Sequence, residues 1–323
     1  MQDIKYRQFQ AHENTYISSF SIIENSNFIL TAGGRDSTIR LHSLTEDAST
    51  SIIVREAPQN KNYSIVDSSD MCIGSMDDKI EIFDLAKTTP VRILDNTPND
   101  PTHNRTNFVI DAKILNKNML VTCGNNHTMN MFDIRMNVVH GTNGPFTSIA
   151  LGERSLYSIG YHGYNICCSG EDGRIYTMDL RNSEVICDQV SNYPILKIHQ
   201  YPNDLTLSFD LYGQVRLFNN RSGLTSCSYN INEPVRRLTH TFDLQMIPER
   251  NCIINSTNIG EIQFYSVNKD RTQVRKRTTL KAVVDQNQIS TNYLNGMKFD
   301  PVENRVIASG GTGIIHVWDN VFG

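Results

Sequence analysis

The chain has 323 residues, 39% hydrophobic and 20% charged, with a formal net charge of −4. That balance supplies no bulk field to recruit nucleic acid or an anionic membrane. The sequence has no apolar run of about 18 residues to cross a bilayer, and MQDIKYRQFQ lacks the apolar core and cleavage pattern of a signal peptide. Seven cysteines without a CxxC pair, and nine scattered histidines, argue against a disulfide framework and a zinc site. Cys72, Cys123, Cys167, Cys168 and Cys252 fall in predicted strands and read as small buried hydrophobes in a reducing compartment.

In chain order, a strand is expected over Ile4–Phe9, followed by units of four short strands. Unit one has an inner strand Tyr16–Ile22 and an outer strand Ser51–Arg55 around FILTAGGRDSTIRLHSL (Phe28–Leu44). Unit two is expected at Tyr63–Asp67, Met71–Met76, Lys79–Leu85 and Val91–Leu94. In it Ile80 and Ile82 alternate with Glu81 as on a half-buried strand. A Pro-broken connection, Asp95–Arg105, precedes unit three: Phe108–Lys113, Met119–Cys123, Thr128–Ile134 and a short Val138–His140. Unit four is Leu156–Tyr161, Asn165–Ser169, Arg174–Leu180 and Glu184–Gln189. Unit five is Ile195–Gln200, Leu205–Phe209, Gln214–Asn219 and Ser226–Tyr229. Unit six is Arg237–Phe242, Cys252–Ser256, Glu261–Val267 and Arg275–Leu280. After a second long connection, Val283–Asn292, unit seven supplies only Tyr293–Phe299, Arg305–Ser309 and Gly313–Asp319.

One pattern therefore recurs seven times: a strand, a turn with Gly, Asp or Asn, then an alternating strand closing on an aromatic or its substitute. That position is His42, Phe83, Phe132, Met178, Phe218, Tyr265 and Trp318, at successive spacings of 41, 49, 46, 40, 47 and 53 residues. The period is that of four-stranded blades. The copies resemble WD40 repeats over nearly the whole chain, although only Trp318-Asp319 spells the dipeptide that names that family. The family's turn Asp stands at Asp36, Asp77 and Asp172, with Asn126 as a substitute; Tyr212, Ile259 and Thr312 depart from it. Its Gly-His is reduced to Ala11-His12, with Thr102-His103 as a second partial copy. The resemblance implies an all-β fold, a seven-bladed β-propeller over residues 1–323. Ile4–Phe9 is expected to complete blade seven (293–319), because an open sheet edge leaves backbone donors and acceptors unpaired.

Sites of chemistry are few. Gly310-Gly311-Thr312-Gly313 lacks the Lys-Ser/Thr and helix of a phosphate loop and reads as a tight turn. No Gly-x-Ser-x-Gly is present, and Cys167-Cys168 lies mid-strand beside Ile166. No enzymatic activity, metal or cofactor is expected. Asp77-Asp78 and Glu171-Asp172 are read as carboxylates that hold their own hairpins. The basic run Lys269–Arg277 reads as a charge-guarded outer strand, with contact to nucleic acid or to an acidic partner as the other reading, although flanking aromatics for base stacking are missing. Turns between second and third strands, together with the connections between blades, should gather Tyr16, Arg35, Asp36, Asp78, His127, Glu171, Tyr212 and Arg236 on one rim. That mixture suits protein recognition. The resemblance adds Asp133-Ile134-Arg135 and Asp179-Leu180-Arg181. In WD40 proteins that recruit cullin-type ubiquitin ligase adaptors, Arg at this position contacts the adaptor, although Phe132 and Met178 replace the usual Trp here. The expected function is a non-enzymatic interaction scaffold, monomeric within a larger hetero-complex of the cytoplasm or nucleus, with protein partners and no membrane insertion or direct nucleic-acid contact. The alternatives are a substrate receptor of a cullin-type ligase and a small propeller hydrolase.

Overall fold

The computed structural model describes residues 4–45, 51–58, 61–68, 71–87, 89–96, 107–135, 144–220, 222, 224–231, 243–257, 259–282 and 293–322. It is built of seven four-stranded antiparallel sheets. Blade one is β2 (Ile17–Ile22), β3 (Phe28–Gly33), β4 (Thr38–Ser43) and β5 (Ser51–Glu56). Blade two is β6 (Ile65–Ser68), β7 (Cys72–Met76), β8 (Lys79–Phe83) and β9 (Arg92–Asp95). Blade three is β10 (Val109–Asn116), β11 (Met119–Gly124), β12 (Thr128–Asp133) and β13 (Thr147–Ala150). Blade four is β14 (Leu156–His162), β15 (Asn165–Gly170), β16 (Arg174–Asp179) and β17 (Val185–Gln189). Blade five is β18 (Ile195–Tyr201), β19 (Leu205–Asp210), β20 (Gln214–Asn219) and β21 (Leu224–Asn230). Blade six is β22 (Leu244–Ile247), β23 (Cys252–Ser256), β24 (Glu261–Val267) and β25 (Val274–Lys281). Blade seven joins β26 (Leu294–Asp300), β27 (Arg305–Gly310) and β28 (Ile314–Asp319) to β1 (Lys5–Gln10) from the start of the chain.

Two strands differ from expectation. The outer strand of blade three is Thr147–Ala150, and Val138–His140 lies outside the described residues. The inner strand of blade six is Leu244–Ile247, later than Arg237–Phe242, which also lies outside them. In both places the described strand begins later in the chain, and hydrophobic alternation alone does not fix where a strand starts. The turns use the dispersed asparagines: Asn25, Asn203, Asn251 and Asn304 hold left-handed backbone, with φ of 55°, 64°, 45° and 50°. Asn tolerates that region better than branched residues do.

The core lies in the seams between blades. Ile73, Ile80, Ile82 and Leu94 of blade two pack with Val109, Ile114, Leu120 and Phe132 of blade three. All seven residues at the repeat's aromatic position are buried, each large apolar side chain contributing about 1.5–3 kcal/mol. One alternation is misleading. Glu81 is buried, where its neighbours' pattern places it facing solvent. Its Oε2 takes Arg55 Nη2 at 2.8 Å and Tyr63 Oη at 2.7 Å, so a charge pair bridges the seam between blades one and two. Removing one member of such a pair costs more than the pair itself contributes.

The inner strands are tied to one another by side chains. Each innermost strand has a sheet partner on one side only. Ser68 N donates to Ser21 Oγ (3.1 Å), Ile114 N to Asp67 Oδ2 (3.4 Å), and Ile159 N to Asp111 Oδ2 (2.8 Å). Ile198 N donates to Ser158 Oγ (3.2 Å), Met246 N to Tyr201 Oη (2.6 Å), and Met297 N to Asp243 Oδ2 (3.4 Å). At the last seam the direction reverses: Asn295 Nδ2 donates to Ile17 O, and Lys298 Nζ to Ser21 Oγ at 3.2 Å.

The N-terminal segment closes that last seam. β1 pairs with β28 from Lys5↔Asp319 to Gln10↔Ile314, one residue later than expected. Tyr6 lies 5.4 Å from the Trp318 ring, and its hydroxyl meets His316 Nδ1 at 2.9 Å. Ala11 N and His12 N both donate to Gly313 O, at 2.9 and 3.1 Å. Gly313 has φ +79°, and a Cβ there would stand 2.0 Å from His12 O, so the turn demands glycine. His12 then enters blade one. Nδ1–H donates to Asp36 Oδ2 (2.6 Å), Nε2 accepts from Thr31 Oγ1 (2.8 Å), and Thr31 Oγ1 accepts from His42 Nε2–H (2.9 Å). This assignment satisfies every member of the chain. His42 stands where a Trp would offer the same donor.

Two outcomes follow from this closure. Deleting residues 1–10 removes β1 and the approach to His12; thermal unfolding should lose its cooperativity, and an unchanged melting curve would contradict the pairing. Burial lowers the pKa of His42 to about 3, aided by His12 and Arg40, and that of His316 to about 4. Both rings are neutral in the fold, whereas unfolded His protonates below about pH 6.5. Their stabilisation is full above that pH and is lost as pH falls towards the folded values. Between pH 7 and pH 5 each should remove about 2 kcal/mol. Denaturant midpoints measured across that window should fall, and should fall less in His316→Gln.

Candidate functional site

The turns between second and third strands, with the connections that lead into each inner strand, form one face of the ring. At blade one the Tyr16 ring lies flat on the turn: a Cβ at Gly34 would stand 2.2 Å from it. Arg35 is exposed at the tip. Tyr293, from the connection into blade seven, joins them: burial raises its pKa, Tyr16 adds to the shift, and Arg35 opposes it. At blade five Tyr212 is 64% exposed and packs against Tyr193, 43% exposed, with ring centroids 4.0 Å apart and planes tilted by 38°. Asp210 positions the pair. Its Oδ1 accepts Tyr212 N and Gln214 N, both at 3.0 Å, and its Oδ2 takes Ser191 Oγ at 2.7 Å and Arg216 Nη1 at 2.8 Å.

The remaining expected rim residues have mixed placements. Asp36 is turned inward: burial works to raise its pKa, but His12 and Thr38 outweigh it and hold it below the usual carboxylate range. Its carboxylate serves the blade. Asp78 O accepts Asn96 N (2.8 Å), and Asp78 Oδ2 lies 4.0 Å from Lys79 Nζ. His127 sits at φ 56°, half-buried, with its carbonyl taking Leu151 N at 2.8 Å. Glu171 N donates to Ser155 O at 2.9 Å, and its charge adds to the burial that raises the Tyr157 pKa. Arg236 lies outside the described residues. The structure thus gathers Tyr16, Arg35 and Tyr293 in one cluster and Tyr193 and Tyr212 in another.

The opposite face carries the Asp-x-Arg pairs. Arg135 donates to Asp133 through Nε (3.0 Å) and Nη2 (2.7 Å); Arg181 donates to Asp179 at 2.9 and 2.6 Å. Hydrogen bonds from its own arginine hold each aspartate at a pKa of about 2. The guanidiniums stay in solvent, and Arg181 lies 5.3 Å over the exposed Tyr164 ring.

The central channel holds groups that the sequence reading missed. Lys113, Lys197 and Lys298 face Asp67, Asp111 and Asp243 there. Burial works against charge on Lys113, but Asp111, Asp67 and Asp243 outweigh it and raise its pKa. Burial, with Lys113 and Lys197 nearby, lowers Lys298. Asp243 is held near 2 against burial by Lys197 and His199, whose Nε2 is 3.3 Å from Asp243 Oδ1. The signal in the sequence was a charged residue repeated inside otherwise apolar inner strands. Among the described residues no group of three or more His, Cys, Asp or Glu could hold a metal ion, and no helix is long and apolar enough to cross a membrane.

The family model described as WD domain, G-beta repeat, matches residues 4–43, the stretch that contains β1 and the His12–Asp36–Thr31–His42 chain. No curated protein sequence matches the chain. Solved structures do. One, titled crystal structure of the WD40 beta propeller domain of Doa1, is 10% identical over 99% of this chain and 98% of that one, with a TM-score of 0.76. Another, a chain of a crystal structure titled mitotic checkpoint complex, is 12% identical over 97% of this chain and 90% of that one, also with a TM-score of 0.76. Likeness at this identity speaks for the fold alone. The chain carries a WD40 repeat at residues 4–43 and folds as a seven-bladed β-propeller matching WD40 propeller structures.

Proposed function

We propose that this propeller is a non-enzymatic interaction scaffold, a subunit of a larger intracellular complex that binds peptide segments or domains of other proteins on its rim face. The observation that carries the reading is the exposed, closely packed Tyr193–Tyr212 pair on the same face as Tyr16, Tyr293 and Arg35. Exposed rigid aromatics beside an arginine are the residue types that dominate protein hot spots. A hydroxyl on each Tyr leaves the pair wettable until a partner covers it. The fold agrees, because propellers of this type are commonly interaction modules.

A second reading rests on the other face. Arg135 and Arg181 are pre-oriented by Asp133 and Asp179 and still present free guanidinium edges in neighbouring blades. That geometry suits capture of an adaptor, as in a cullin-type ligase receptor.

One experiment separates the two. Affinity purification from the native cell is run with the wild type, with Tyr193→Ala plus Tyr212→Ala, and with Arg135→Ala plus Arg181→Ala, after melting curves show that all three fold alike. The scaffold reading predicts that the Tyr variant loses most co-purifying proteins and the Arg variant keeps them. Retention of the full set by the Tyr variant contradicts it. Loss of an adaptor from the Arg variant alone would favour the second reading.

A further inference from the structure

Strand β25 is the outer strand of blade six and, among the described residues, pairs only with β24. It has eight residues, twice the length of outer strands β9 and β13, so it presents about 26 Å of free edge. Along it and the preceding turn stand Lys269, Arg271, Arg275, Lys276 and Arg277. None of these side chains forms an ion pair or hydrogen bond among the described residues, and all but Arg271 are exposed. The only carboxylate within the run is Asp270. Lys281, at the end of the strand, is neutralised by Glu261 at 3.1 Å. Some cations elsewhere on the ring are matched in the same way, Arg7 with Asp319, Lys79 with Asp95 and Lys61 with Asp77, while others such as Lys5, Lys117 and Arg154 stand singly among the described residues. Five cations in nine residues, without an ion pair among the described residues, are a dense local concentration in a chain of net charge −4.

Guarding the edge against aggregation is one role for such charge. The other outer strands weigh against that as the whole explanation. β5 exposes Ile52 and Ile53, and β17 exposes Val185 and Ile186, each a stickier edge without such a cluster. The turn makes a second point. Asn268 Oδ1 accepts Thr272 N (2.7 Å) and Gln273 N (2.9 Å), which fixes Arg271 at φ 57°. Gly or Asn would hold that conformation at lower cost than Arg. At Arg277 a bulge opposes Tyr265 and Phe264 to Lys276 and Thr278, so Arg277 is the extra residue and the strand's side chains are re-aimed.

We propose that this edge docks an acidic, extended peptide segment of a partner protein. The segment adds a strand to β25 through backbone hydrogen bonds, and its carboxylates meet Lys269, Arg271, Arg275, Lys276 and Arg277. Arg275, Lys276 and Arg277 are consecutive, so their side chains leave both faces of the strand, and a peptide rich in Asp or Glu meets them from either face. A nucleic acid would use the charge but not the backbone edge, and β25 offers no exposed aromatic for base stacking. The surface is the side of the ring, apart from the rim face, so it stands or falls independently of the scaffold reading.

The test is fluorescence anisotropy with a labelled peptide of about ten residues alternating Glu and Val. Comparison probes are the same peptide with proline replacing every Val, a single-stranded RNA of similar length, and phosphatidylserine vesicles. The proteins are the wild type and Arg275→Glu plus Arg277→Glu, the latter with a melting curve to show it folded. The proposal predicts wild-type binding that weakens with salt, falls about tenfold or more in the variant, and is lost with the proline peptide, which cannot pair with the edge. Absence of binding, equal binding by the variant, equal binding of the proline peptide, or tighter binding of RNA or vesicles would each overturn it.

Discussion

The innermost strand of every blade is an edge. Its channel side has no sheet neighbour, and a buried amide without an acceptor is costly. In this ring the next blade supplies the acceptor. Ser21, Asp67, Asp111, Ser158, Tyr201 and Asp243 each take a backbone N–H from the following inner strand. At the seventh seam, among the described residues, the donors are side chains of blade seven, Asn295 and Lys298, and the seam is also joined covalently, because β1 belongs to blade seven and runs directly into blade one. Apolar seams give the bulk of the burial. The polar chain around the channel selects which strands stand side by side.

This arrangement leaves the faces free. Each blade's outer turns are fixed by local caps such as Asp210 and Asn268, so exposed side chains are held without being consumed. The two tyrosines at blade five, the arginines paired with Asp133 and Asp179, and the cations at β25 are three chemically different surfaces on one support. On the proposed scaffold reading, rigidity between these surfaces matters more than a deep pocket.

Much of the architecture was legible because it repeats. The period and the buried position at His42, Phe83 and Trp318 survive even where the residue type changes, since the seam needs volume more than a particular ring. Glu81 was misjudged for the opposite reason: its partners, Arg55 and Tyr63, come from outside its own hairpin, and alternation carries no information about them. Asp36 was read as rim chemistry because its turn is exposed in sequence terms, while the structure spends its carboxylate on His12. Tyr193 and Tyr293 were overlooked because they lie in connections, where spacing is irregular. The late start of blade six, at Leu244, escaped for the same reason.

The claim that side-chain acceptors staple the inner edges is tested most directly by native-state hydrogen exchange at single-amide resolution. Ile114, Ile159, Ile198, Met246 and Met297 lie on strand edges that have no sheet partner, yet their amides should exchange only with global unfolding, as slowly as amides in the middle of a ladder. Exchange at these positions as fast as at open loop amides would show that the edges are unstapled and that the ring is held by its apolar seams alone.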